Sequence, residues 1–167
     1  METNPSENHK NIASLIHLST FAKYFFPFGN FIAPLLLWTV NKDKPFVNEH
    51  GRQAVNFQLS ILVYTLIIGL LCLPFFAIFA PDFVALIETL DNHVHDVTVN
   101  NVRNLSGYFT LFLIVALLLF GIFVFELYAV ISATVAAHRG ELYNYPICIP
   151  FLKTQTIQKQ PNNEHAS

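Results

Sequence analysis

Two stretches of this chain, residues 53–81 and 104–125, contain no Asp, Glu, Lys or Arg. Each is as long as, or longer than, the ~20 apolar residues that carry an α-helix across a bilayer. A water-soluble fold of 167 residues has no interior large enough to hide them, because small domains keep a high ratio of surface to volume. Composition agrees: 53% of residues are hydrophobic and 12% charged, against about 25% charged in ordinary soluble domains. The runs lack the alternating apolar and polar pattern of barrel strands. The expectation is an all-α, polytopic membrane helical bundle with no β-sheet. Its clearest spans are residues 54–79 and 107–137, the second with Glu126 inside it.

A third region, residues 12–40, is long enough to cross but contains FFPFGNFIAP, with Pro27, Gly29 and Pro34. Proline removes a backbone donor and glycine loosens the backbone, so this segment should break at Pro27-Gly29. It is then either one kinked span or two half-helices in a re-entrant hairpin, giving three to four membrane segments in all. The domain plan is a polar tail over 1–11, one transmembrane domain over 12–150 with an extracytoplasmic loop at 80–105, and a disordered cytoplasmic tail over 151–167. The start, METNPSENHKN, lacks the basic region and short apolar core of a signal peptide. Lys42, Lys44 and Arg52 flank the first clear span, and Arg139, Lys153 and Lys159 follow the last. The 80–105 stretch instead carries Asp82, Glu88, Asp91 and Asp96 against Arg103. Positive flanks stay inside, so the chain reads as a multi-pass membrane protein with its C-terminus in the cytoplasm.

The chemistry-bearing residues are few. His93 and His95, between Asp91 and Asp96, are the nearest approach to a metal-ligand spacing, but no third histidine or cysteine stands beside them. An exposed polar loop is the simpler reading, and no metal or cofactor is expected. Cys72 and Cys148 form no framework, and a net charge of −2 argues against a nucleic-acid partner. No Ser-His-Asp order, phosphate loop or paired-carboxylate site is present, so no enzyme is expected.

The densest polar run is VNEHGRQAVNFQ. Its boundary residues Asn48, Glu49, His50 and Arg52 read as the cytoplasmic start of a helix, with Asn48 as N-cap and His50 solvated. From there Gln53, Asn56, Ser60 and Tyr64 recur at helical spacing. Together with Asn30 and Glu126 they suggest a polar cluster inside the membrane. Such a stripe must face another helix or water, since lipid offers no partners. It serves either as a groove for a solute, a proton or a passing polypeptide, or as hydrogen bonding between packed helices. Ala129, Ala133 and Ala137 lie on the face of the last helix that should pack closely.

Three stretches also carry a family resemblance: Asn30-Phe31-Ile32-Ala33-Pro34-Leu35-Leu36-Leu37-Trp38, Asn48 to Gln58, and Ala136-Ala137-His138-Arg139-Gly140-Glu141 with Tyr143 and Tyr145-Pro146. Over about residues 10 to 150 the chain resembles the bacterial family of small membrane proteins similar to the twenty-kilodalton subunit of the Tic translocon, long catalogued as a domain of unknown function. The 80–105 loop is longer than that family's pattern. The resemblance implies a place in the bacterial cytoplasmic membrane, four membrane segments, and, for the plastid relatives, a pore or scaffold role in protein import. Two functions are therefore expected to compete. One is a non-enzymatic scaffold or accessory subunit with lipid, membrane-protein or homo-oligomer partners. The other is a small oligomeric channel or transporter built around Glu126.

Overall fold

The computed structural model describes residues 5–91 and 99–153. Among these the regular secondary structure is all helical, with four α-helices, one 3-10 turn and no strand: α1 Glu7–Leu18, a 3-10 turn Ser19–Tyr24, α2 Gly29–Asn41, α3 Pro45–Asp91 and α4 Val99–Arg139. An extended segment, residues 141–153, follows α4.

Two helices are long and apolar enough to cross a membrane, at Pro45–Ile78 and Ser106–Arg139. They contain the two spans expected from the uncharged runs. The region 12–40 is not a third. It breaks where expected, with Phe28 left-handed at φ 59° just before α2, and the pieces on either side fold back on one another. With 12 and 13 residues, α1 and α2 are each only ~20 Å long, short of the ~30 Å hydrocarbon layer. The close return needs Gly29, since a Cβ there would overlap the backbone of Ala22 and approach Lys23 N to 2.8 Å.

Element boundaries also differ from the sequence reading. α1 starts at Glu7, inside the presumed tail, because Ser6 accepts a bond from the His9 N–H and caps it. α3 starts at Pro45 rather than at an Asn48 cap: proline needs no backbone partner in the first turn and its φ is already helical. Within residues 80–105, where the spacing of Phe83, Leu86, Ile87 and Leu90 already suits a short helix, helix is continuous with the two spans: α3 runs on to Asp91 and α4 begins at Val99. Residues 92–98, with His93 and His95, lie outside the described residues, as do residues 154–167 of the expected tail.

The chain forms two compact units. The first comprises residues 1–60 and 127–167. Its core joins Ala13, Phe46 and Ala137 with Leu142, and Ile16, Val47 and Ala54 with Ile12, Leu37 and Trp38. Ala129, Ala133 and Ala137 are fully buried, and the Ser14 hydroxyl reaches the Thr134 carbonyl of α4 at 3.2 Å. That approach is open to α1 because the alanines hold no bulk. α4 stops at Gly140, whose φ of +81° favours glycine; Glu141 N–H turns back to the Ala136 carbonyl at 2.9 Å. The second unit, residues 61–126, holds the remaining lengths of α3 and α4. Its long side chains, among them Leu70, Leu71, Phe76, Phe112 and Phe120, are exposed. An apolar cavity of about 550 Å³ opens between its helices, lined by Leu71, Phe75, Leu111 and Val115 among others.

Candidate functional site

The polar run at the start of α3 is the most densely bonded part of the first unit. Trp38 Nε1 donates to Asn48 Oδ1 at 2.8 Å, which explains why Asn48 does not cap. One turn on, Gly51 lies flat under the Trp38 ring; an added Cβ would overlap its Cγ and Cδ1. Glu49 is buried, and its carboxylate accepts from Gln53 Nε2 at 3.3 Å.

His50, expected at a water boundary, has no exposed surface. Its Nδ1 lies 2.8 Å from Nε2 of His17, also fully buried, and His17 Nδ1 lies 2.8 Å from the Tyr145 hydroxyl. Three residues from α1, α3 and the C-terminal segment thus form one hydrogen-bonded chain. Phe46 packs edge-on to His50 with centroids 4.5 Å apart, and Phe57 stacks on Tyr145 at 4.1 Å. His50 Nε2 is buried facing the backbone of Glu141 without a well-formed bond. Placing its proton there avoids a lone pair against a carbonyl, and the chain then runs from the Tyr145 hydroxyl through His17 to His50, each neutral. Burial, and secondarily the neighbouring His50, hold the His17 pKa well below the usual 6.5.

The expected polar stripe exists, but its partner is different. Asn56 Nδ2 donates to the Leu152 carbonyl and Leu152 N–H donates back to Asn56 Oδ1, both at 2.8 Å. Ser60 Oγ accepts from Ile149 N–H at 2.8 Å, and Arg52 Nη1 donates to the Lys153 carbonyl at 2.7 Å. Positions 52, 56 and 60, four apart on one helix face, thus grip the backbone of the chain's own C-terminal segment. A segment of this kind, with Ile147 left-handed at φ 52°, is held by backbone bonds that its side chains do not advertise.

Of the other expected members, Asn30 pairs with Gln58 at 2.9 Å, a residue absent from the expected cluster. Tyr64 and Glu126 belong to the second unit, where Glu126 is buried. Gln53 Oε1 is buried without a hydrogen bond and lines a polar cavity of about 180 Å³ with Asn56, Asn144, Tyr145 and Cys148. Burial pushes the Cys148 thiol pKa up, which keeps it protonated and weakly nucleophilic. Among the described residues no group of three or more His, Cys, Asp or Glu is placed to hold a metal. The histidine pair was missed because His17 and His50 are 33 residues apart and His50, in the polar boundary run, was read as solvated. The one available signal was that each sits among residues that pack.

Residues 8–152 match the model of the magnetosome magnetite crystal formation protein family, MamF/MmsF. No curated protein and no solved structure matches the chain. The family match overturns the resemblance to the Tic-like family. The stretches that carried that resemblance lie inside the matched region, and in the fold they supply Gly51 under Trp38, the Asn56 grip and the Gly140 turn. These are packing devices of a small helical unit, and they do not by themselves distinguish one family of membrane proteins from another.

Proposed function

The chain belongs to the magnetosome magnetite crystal formation protein family, and on that premise we propose that it is a non-enzymatic accessory protein of the membrane in which magnetite crystals form. The family match over residues 8–152 carries this reading. Two apolar helices long enough to cross a bilayer support it, as does a first unit whose polar side chains are largely spent on internal bonds. In this reading α3 and α4 hold the chain in the membrane, and the Lys and Arg flanks mark the cytoplasmic side by the charge rule. A channel around Glu126 gains no comparable support: Asn56 and Ser60 hold the C-terminal segment and Asn30 holds Gln58.

Deletion of the gene in a magnetosome-forming host, with complementation, tests the proposal. Electron microscopy should show crystals altered in size or number, restored by the intact gene and by a Cys148→Ser variant. Unaltered crystals in the deletion strain would refute a role in crystal formation. Restoration by the intact gene but not by Cys148→Ser would count against the non-enzymatic assignment.

A further inference from the structure

The hairpin made by α1, the 3-10 turn and α2 has a distribution of polarity that no aqueous surface explains. Both of its ends are charged: Glu7 and Lys10 pair at 2.9 Å at the start of α1, and Lys42-Asp43-Lys44 follows α2. Its tip is aromatic. Tyr24, Phe25 and Phe28 are 58%, 87% and 72% exposed, and Lys23 is the one charge in residues 11–41, its ammonium 5.3 Å from the centroid of the Tyr24 ring. Outward on α2, Ile32, Leu36 and Val40 repeat every four residues and are exposed. Leu15 and Leu18, three apart on α1, are exposed as well. The inner face, by contrast, is closed: Ala13, Ile16, His17, Thr20, Gly29 and Pro34 are buried.

Much of the backbone of the tip is bonded within the hairpin. Phe25 and Phe26 N–H donate to the Ala22 carbonyl, Gly29 N–H donates to Phe26, Phe31 and Ile32 N–H donate to Phe28, and Pro27 has no N–H. Irregular backbone survives at membrane depth only when its polar groups are bonded within the protein. Exposed aromatic side chains over a self-bonded turn suit hydrocarbon. Trp38, its indole N–H bonded to Asn48 near the charged end of α2, suits the headgroup level where such rings collect.

We propose that this hairpin is a one-leaflet membrane wedge. It enters the bilayer tip first from the side of Lys10, Lys42 and Lys44, reaches the acyl chains, and returns to the same side. Arms of ~20 Å bring the tip to about mid-bilayer and leave it short of the opposite headgroups. The occupant of the exposed face is phospholipid acyl chain, continuous with the lipid around α3, which α2 joins through three residues. A wedge in one leaflet spreads that leaflet alone and so favours membrane convex toward it. The inference goes beyond the role in crystal formation, and its test needs no crystal, so the two can fail separately.

Full-length protein with Cys72→Ser and Cys148→Ser is spin-labelled at Phe25→Cys, Phe28→Cys or Lys42→Cys and reconstituted into phosphatidylcholine–phosphatidylglycerol vesicles. The labelled side chains are largely exposed, so the fold bears little of the change; helicity is checked by circular dichroism. Power saturation should show the two tip labels open to oxygen and closed to a water-soluble nickel chelate, with Lys42→Cys showing the reverse. Tip labels open to the chelate, from either side of the vesicle, would overturn the wedge, since they would make the hairpin a surface feature or a span. Tip labels closed to both reagents would also overturn it, by placing the tip against protein.

Discussion

Replacing Asn56 with alanine tests whether the C-terminal segment is held by side chain to backbone bonds. Asn56 is 1% exposed and makes two bonds of 2.8 Å to one residue, Leu152. A typical intramolecular hydrogen bond contributes about 0.5–1.5 kcal/mol net, and a buried group left unpaired costs at least as much. Losing both bonds should therefore weaken docking of residues 149–153 by about 1–3 kcal/mol, a 5- to 150-fold rise in the population of the released segment. Tyr145 still holds His17, so release should stay local. Hydrogen exchange by mass spectrometry on protein in detergent reads this directly. The amides of Ile149 and Leu152 should exchange faster in Asn56→Ala, while α1 and the buried end of α4 keep their protection. Unchanged exchange at both amides would show that the segment is held by its side chains, and the grip by residues 52, 56 and 60 would lose its energetic meaning.

Two further outcomes follow from the same unit. Gly51→Ala puts a methyl into the Trp38 ring; overpacking costs about 1–3 kcal/mol, more than the ~1 kcal/mol that alanine adds in helix propensity, so the melting temperature in detergent should fall, and a rise would contradict the packing described. His17 is held neutral by burial, with a folded pKa well below the 6.5 it has when exposed. The unfolded chain therefore binds the extra proton first, and the stability contributed is complete above pH 6.5 and is lost as pH falls below it. The slope is up to about 1.4 kcal/mol per pH unit until the folded pKa is reached. Denaturant midpoints that stay level from pH 7 to pH 5 would refute a buried neutral His17.

What the residues determined alone is the part governed by one-dimensional rules. Uncharged runs of bilayer length placed the two long helices, since a charge in hydrocarbon is expensive wherever the rest of the chain goes. Pro27 and Gly29 placed the break between α1 and α2, a local matter of backbone donors and φ. The stripe through Gln53, Asn56, Ser60 and Tyr64 was legible as a helix face needing a partner; that Arg52 shares the grip was not. The identity of that partner was not: the groups it binds are the backbone atoms of residues 149–153, which every residue carries and no sequence pattern announces. His17, His50 and Tyr145 are separated by 33 and 128 positions, and only the fold brings them within hydrogen-bond distance. Tertiary packing likewise decided that Asn48 serves Trp38 rather than the helix end: the part-buried indole N–H takes Asn48 as its acceptor, and the helix start is already opened by Pro45.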